Sequence, residues 1–471
     1  MTETKFHQKF ATQFMKKVGA LKDLPRTHPA LFWILVFTLL SRITVYIIGQ
    51  PWNQDVVEQE ILDGDAVVYD RIAREFINGL WITDMPWAAN RTFGYPFFIT
   101  AIYAISNNAI WLVLALQTLM NIAMVPMIYL ITKNLFRSRQ SGTFAAAIFA
   151  LSAIPLAWAA RFLFTETIFT FLFLTFIMVY LNAWKSESLR WFLLLGVLLG
   201  IGTIVRSVLQ FFVVIPIMII LLQDRTVLRK MVIGLAILIG LIGTIAPFQI
   251  INYQKYGHYS LSTISGDVLF KSMAKAKAIT DGTNVSKAQD SLGWQNWKDI
   301  ENPFDRSAIA KREGIKYLLK QPQDFVYLHL LGMVSFLIGT EKSSYLYVIA
   351  KQDRQKLSHQ RGFELFSERI IRNLKDFQKE YFLTPILIVK LLVEYALVAA
   401  GLLVLIHRKQ KMLALFLILS IGYFIFVTAF QGRAPRYKIP VLPLYAIIGG
   451  GGAILIKAYL SEWKGSLKRK N

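Results

Sequence analysis

The chain has no cysteine among its 471 residues. That excludes a disulfide framework, thiolate metal sites and thiol catalysis. Histidine is scarce too: the six present are scattered with no ligand spacing, and neither His258 nor His329 has a partner residue at a metal-site interval. There is no phosphate-cradling glycine loop, no dinucleotide fingerprint and no Ser-His-Asp order. Heptad arrays, solenoid repeats and low-complexity tracts are absent. Acidic residues are few, 29 against 52 Lys and Arg, for a formal charge of +23. No small-residue cleavage site follows the first apolar run, so that run is expected to stay as a signal anchor.

What is plentiful is apolar sequence, 55% of the chain, above the usual share for soluble domains. Runs such as 31–48, 110–131 and 231–251 approach the roughly 20 residues that span a bilayer. Hydropathy predicts an all-α polytopic membrane protein with about ten spanning helices. They fall near 30–49, 109–132, 141–158, 164–184, 191–205, 207–222, 231–251, 384–406, 412–430 and 441–459. The short basic segments "KNLFRSR" (133–139), "KSESLR" (185–190), "QDRTVLRK" (223–230) and "HRKQK" (407–411) then share one side with both termini. By the positive-inside rule that side is the cytoplasm. Topology and contact with phosphate-bearing lipids explain the basic balance, and no nucleic-acid partner is expected.

This divides the chain into a cytoplasmic tail (1–29), a transmembrane module (30–251) that includes an outer loop at 50–108, a long outer loop (252–383), and C-terminal spans with a basic tail (384–471). Chemistry is expected in the outer loops. In the first, "LDGDAVVYDRIAREFINGL" (62–80) carries an amphipathic helix along the membrane surface. Tyr69, Ile72, Ala73, Phe76 and Leu80 recur at helical spacing, Asp70–Arg74 and Arg71–Glu75 are acid-before-base pairs, and Gly79 suits the end. Asp65 stands at the N-cap position. It reads equally as a carboxylate at the water–membrane boundary, able to take a proton from a hydroxyl. Asp63 makes a D-x-D pair with it, a weak signal by itself. The long loop predicts further amphipathic helices, one stopped at Pro322 and one over 351–380. A short apolar segment at 324–339 reads as interfacial or re-entrant.

Further charges stand where the chain meets apolar surroundings, and each has a plain reading beside a chemical one. Arg91 in "NRTFGYPFF" is a snorkelling interface residue with Tyr95 as its aromatic anchor, or a fixed cation. Glu166, near Arg161, is an acid favoured by the dipole at a helix start. Arg206 interrupts two apolar runs, where a charge is costly unless paired or functional; its options are a phosphate, Glu166 or Asp65. "QGRAPRYKIPVLPLY" places Arg433, Arg436 and Lys438 at headgroup depth, as a basic loop or a lipid-phosphate clamp.

In order, spacing and topology, "GDAVVYDRIAREFINGL", "RTFGYP", "FTETIFTFLF", "GIGTIVRS" and "RAPRYKIPVLPLYA" resemble the GT-C superfamily of integral membrane glycosyltransferases. Within it the resemblance is to the branch of protein O-mannosyltransferases and lipid A aminoarabinose transferases. The resemblance covers essentially the whole chain and implies a GT-C-like bundle with amphipathic helices in its outer loops. It implies a sugar donor on a polyprenyl phosphate, used outside the cytoplasm at the plasma (inner) membrane, and a lipid, glycan or protein acceptor. The catalytic aspartate falls on Asp65, with Glu166 as a second acid. Donor-binding roles fall on Asp63, Tyr69, Arg91, Tyr95, Arg206, Arg433, Arg436 and Tyr437. A divalent cation is left open. The lysine that the lipid A transferases carry just before the first-loop proline is Tyr95 here, and the acid that protein mannosyltransferases carry directly after the catalytic aspartate is Ala66. Two other readings stand beside this one: a lipid-linked glycan flippase or transporter, and a non-catalytic envelope-assembly subunit.

Overall fold

A chain in hydrocarbon must satisfy its peptide groups internally, and the apolar runs do so as helices. The computed structural model describes residues 24–186, 188–340, 383–429 and 435–470, and among them all regular secondary structure is helical. Arg433 and the helix expected over 351–380 lie outside the described residues.

We number the helices that matter here α1 (Pro29–Ile48), α2 (Asp65–Ile77), α3 (Gly94–Ser106), α4 (Ile110–Phe136), α5 (Arg139–Ala150), α6 (Ala153–Arg161), α7 (Glu166–Ser186), α8 (Leu189–Val205), α9 (Val214–Leu221), α10 (Val227–Tyr256), α11 (Ile264–Thr280), α12 (Pro303–Lys320), α13 (Pro322–Ile338), α14 (Leu383–His407), α15 (Lys411–Ala429) and α16 (Leu442–Lys470). Seven of them, α1, α4, α7, α10, α14, α15 and α16, are long and apolar enough to cross a membrane. The other expected spans are present in altered form. The run 141–158 is broken into α5 and α6, α8 has 17 residues, and 207–221 is a 3-10 segment leading into α9.

The break between α5 and α6 has a visible cause. Arg42 of α1 is fully buried. Its Nη1 donates to the Ala150 carbonyl at 2.7 Å, at the C-terminal end of α5, and its Nε donates to Asn121 Oδ1 at 3.1 Å. Asn121 Nδ2 in turn donates to the Pro155 carbonyl (3.2 Å). The Ala150 carbonyl, freed at the end of α5, thus finds a donor within the bundle, as an interior without water requires.

Helices α14 and α16 run side by side with little between them. A Cβ on Gly452 would lie 2.0 Å from the Leu397 carbonyl oxygen, and one on Gly401 would lie 2.0 Å from that of Ile448. Only glycine permits this approach, the usual solution where helices pack without a hydrophobic driving force. Helix α10 has 30 residues, about 45 Å of rise, more than the roughly 30 Å hydrocarbon core. Its C-terminal end is tied by Tyr256 Oη to the Thr83 carbonyl (2.6 Å) and by Asn302 Nδ2 to the Tyr256 carbonyl (3.1 Å).

Beyond α10, helices α11 and α12 pack against each other and build a small core of Phe270, Trp297 and Ala310. The Thr263 amide donates to the Ala89 carbonyl (2.9 Å), fixing the start of α11 two residues from Arg91. Helix α13 lies against α15, with the His329 ring on Phe426, and its C-terminal carbonyls at Leu337 and Gly339 accept from Lys438 Nζ (3.2 and 2.6 Å). The loops bearing Asp65, Arg91, Glu166, Arg206 and Arg436 therefore gather at one end of the bundle. The basic turns near 137, 225 and 408 fall at the other, because successive helices alternate in direction.

Candidate active site

Helix α2 begins at Asp65, preceded by Gly64 with φ of +60°. The structure corrects the N-cap expectation here. Asp65 is the first helical residue and caps no amide. Its carboxylate turns instead to two arginines: Oδ1 accepts from Arg91 Nη2 at 2.6 Å and Oδ2 from Arg436 Nη1 at 3.0 Å. These partners lie 26 and 371 residues away in sequence.

Glu166 opens α7, as expected, and its side chain is only 3% exposed. Its Oε1 lies 2.8 Å from Arg206 Nη1 and 3.9 Å from Arg436 Nε. Arg206 stands between α8 and the 3-10 segment with extended backbone, and its Nη1 also donates to Thr165 Oγ1 (3.2 Å). Of the options open to Arg206, the resting protein takes Glu166. Arg161, close to Glu166 in sequence, pairs with Glu60 at 2.6 Å.

Arg436 is thus the bridge. It sits on a single 3-10 turn, Pro435–Lys438, and touches both acids. Its guanidinium also lies over the rings of Phe164 and Tyr437, at 5.6 and 5.3 Å from their centroids, within cation–π range. Arg91 is fixed from two sides. Its guanidinium lies 5.5 Å from the Tyr69 ring, and Thr92 Oγ1 beside it donates to the Val205 carbonyl (3.0 Å), one residue before Arg206. Gly94 makes that approach possible, since a Cβ there would lie 2.8 Å from the Val205 amide.

Of the other expected site residues, Tyr69 and Tyr95 stand edge to face, centroids 4.9 Å apart. Tyr95 is fully buried and its hydroxyl donates to Gln117 Oε1 (2.6 Å). Gln117 Nε2 donates to the Phe162 carbonyl (3.0 Å) just past the end of α6. Tyr95 thus sits one layer behind the charges, and Gln117, which the sequence reading did not single out, ties that layer to α6. Asp63 lies in the turn ahead of α2, its carbonyl accepting from the Ala66 amide (3.2 Å). Tyr437 is buried beside Arg436. Asp70, expected on the polar face of α2, is buried: it accepts from Tyr103 Oη (2.6 Å) and pairs with Arg74 (2.8 Å).

The electrostatics follow from the geometry. Burial works to raise the Asp65 pKa, but Arg91, then Arg436, and Arg206 outweigh it and hold the carboxyl below its ordinary value. Burial pushes the Tyr69 phenol up to about 12, so it stays a neutral hydroxyl. Three guanidinium groups face two carboxylates, which leaves one positive charge over. The donor set does not suit a divalent cation: among the described residues no three Asp, Glu or His side chains converge, and Arg436 already bridges Asp65 and Glu166.

The all-helical polytopic architecture is GT-C-like in fold. Residues 90–250 match the family model described as dolichyl-phosphate-mannose-protein mannosyltransferase. That segment includes Arg91, Glu166 and Arg206 and leaves Asp65 and Arg436 outside. In overall structure the chain is similar to the archaeal oligosaccharyltransferase AglB from Archaeoglobus fulgidus in complex with an inhibitory peptide and a dolichol-phosphate. The TM-score is 0.50 at 10% identity, over 95% of this chain and 52% of that one. The apo form of the Archaeoglobus fulgidus oligosaccharyltransferase gives 0.50 at 12% identity, over 95% and 53%. The chain thus spans about half the length of these structures. No curated protein matches it in sequence.

Proposed function

We propose that the protein is a membrane glycosyltransferase that moves a hexosyl or pentosyl group from a polyprenyl-phosphate donor to an acceptor hydroxyl. The acceptor is an envelope lipid, glycan or protein, met on the outer face of the plasma membrane. The observation that carries this reading is the charge cluster. One surplus positive charge among Arg91, Arg206 and Arg436 matches the single negative charge of a lipid phosphodiester. Arginine is suited to the task because its fork meets phosphate oxygens in pairs. The likeness to a protein seen with a dolichol-phosphate supports a lipid-phosphate donor. The basic turns at the far end of the bundle support an outward-facing site.

Asp65 accepts the proton of the attacking hydroxyl. As the new C–O bond forms at the anomeric carbon, the bond to the phosphate oxygen breaks. The electron pair stays on the phosphate, which leaves as polyprenyl monophosphate. The arginines meet the charge that develops there, where fixed donors contribute most. Attack opposite the phosphate inverts the anomeric centre. Glu166 holds Arg206 and Arg436 in place.

The test is direct. Purified protein in nanodiscs is given polyprenyl-phosphate sugars labelled in the sugar, with hydroxyl acceptors from envelope extracts. The expected result is a labelled glycoside and free polyprenyl phosphate from wild type, and neither from Asp65→Asn. Equal turnover by the two proteins would remove Asp65 as base, and silence across a full panel of hexose and pentose donors would remove the reading itself.

A further inference from the structure

Asp65 presents a chemical conflict. A general base must be free to accept a proton, yet both of its oxygens are held by guanidinium groups, at 2.6 and 3.0 Å. A carboxylate so clamped is a weak base, because its proton affinity has been lowered by the cations beside it. On the function proposed above, the same cations also meet the anionic headgroup of the donor. One pair of guanidiniums therefore serves two anions.

The members of the cluster differ in how firmly they are held. Arg206 is locked to Glu166, which is almost fully buried, and to Thr165. Arg436 rides on a short 3-10 turn between α15 and α16, and its pairing with Asp65 is the longer of the two that Asp65 makes. Its second acid, Glu166, lies at 3.9 Å and can retain it through charge while the Nη1 end swings.

We propose that Arg436 is a shared guanidinium, which clamps Asp65 in the free protein and passes to the donor's phosphate when the lipid binds. Asp65 then becomes a competent base only in the donor complex, and the donor binds before the acceptor. This rests on the function proposed above. It goes further by naming Arg436 as the residue that couples donor binding to activation of the base.

The groups around Asp65 support the exchange. Arg91 faces it from the loop before α3, Arg436 from the 3-10 turn, and Arg206 with Glu166 from the junction of α7 and α8. Tyr69 and Asp63 flank it on its own segment, and Asp267 of α11 feels Arg91 from the far side. Only the arginines oppose the effect of burial on Asp65. Once one of them turns to phosphate, burial acts with less opposition and the proton affinity of Asp65 rises, in the direction that base catalysis near neutral pH requires.

The experiment is a binding titration of the full chain in nanodiscs with polyprenyl methyl phosphate, a phosphodiester whose single charge is constant from pH 3 to 9. If Asp65 and phosphate compete for Arg436, then Asp65→Asn, which cannot hold a guanidinium as an anion does, binds the probe about tenfold tighter than wild type or better. Asp65→Ser must tighten as well, which guards against a folding artefact of one variant. Arg436→Gln must weaken binding and cancel the gain when combined with Asp65→Asn. In wild type the affinity rises as pH falls, because the complex binds a proton more readily than the free protein. In Asp65→Asn that slope is lost. Equal or weaker binding by both Asp65 variants, with wild type binding normally, overturns the exchange and leaves the glycosyltransferase reading standing. Failure of wild type to bind the probe at any pH overturns both.

Discussion

The buried pair of Glu166 and Arg206 gives a prediction whose size can be worked from the structure. Glu166 is 3% exposed and its Oε1 lies 2.8 Å from Arg206. Replacing Arg206 with Leu removes that partner and leaves the carboxylate with the Thr165 hydroxyl at 3.4 Å and with Arg436 at 3.9 Å. Removing one member of a buried pair costs about 3–5 kcal/mol, since the other charge stays desolvated and uncompensated. Arg436 offsets part of this, so a loss of about 3 kcal/mol is expected, a large share of a typical folding free energy. Removing both charges is a different matter. Replacing a buried ion pair by apolar residues of similar volume is commonly neutral or stabilising. The double variant Arg206→Leu with Glu166→Leu should therefore regain most of what Arg206→Leu loses, a coupling of about 2 kcal/mol or more. The assay is thermal unfolding in one fixed detergent, followed by tryptophan fluorescence, for wild type, both single variants and the double. Transfer activity should be lost in all three variants, because Arg206 meets the donor phosphate and Glu166 also steadies Arg436. A double variant no more stable than Arg206→Leu would refute the reasoning, for the pair would then not be the source of the cost.

Further outcomes follow from neighbouring features. Asp65→Asn should lower transfer by about 10²–10⁴-fold, the usual contribution of a positioned base, measured in initial-rate assays. Because the carboxyl is held below its ordinary value in the folded protein, its stabilising contribution is present above about pH 4 and is lost as pH falls through the folded value. The stability gap between wild type and Asp65→Asn should then close only in strong acid. Arg42→Met should leave the Ala150 carbonyl and Asn121 without their donor, at about 1–3 kcal/mol for each group, visible as a lower unfolding temperature. Tyr95→Phe removes one hydrogen bond to Gln117 and should cost only about 1 kcal/mol while transfer persists. Gly452→Ala drives a methyl against the Leu397 carbonyl and should separate α14 from α16, costing about 1–3 kcal/mol in the same unfolding measurement.

Much of this architecture could be read from the residues. Apolar runs declare themselves by length, and all ten expected spans correspond to helices or broken helices. The charges that converge were also visible, for a shared reason. Asp65, Arg91, Glu166, Arg206 and Arg436 each stand at the edge of an apolar run, where an ionised group is conspicuous because it is expensive. Their pairing was not legible. Arg436 reaches Asp65 across 371 residues, and no local pattern encodes that. The cap was one of two readings open to Asp65, since short-range hydrogen bonding is the default use of such a residue, and here a long-range ion pair takes its place. Arg42 escaped notice because it lies within a run whose average hydropathy masks one charge. Gln117 and Asn121 did so because an amide inside an apolar helix gives no sign of which carbonyl it serves. The break at 151–152 was hidden for the same reason, since its cause lies on a neighbouring helix.

Arg42 and the Asp65 cluster spend positive charge in different ways, and they respond to different insults. Arg42 is answered by a peptide carbonyl, the Asn121 amide oxygen and the Ser41 hydroxyl, and among the described residues it has no acid partner to protonate. Acidification or strong salt can unfasten the ring of arginines and carboxylates at one end of the bundle while the bend between α5 and α6 keeps its shape. The molecule has two fastenings of unlike chemistry, and a solution condition that silences the first leaves intact the scaffold on which it re-forms.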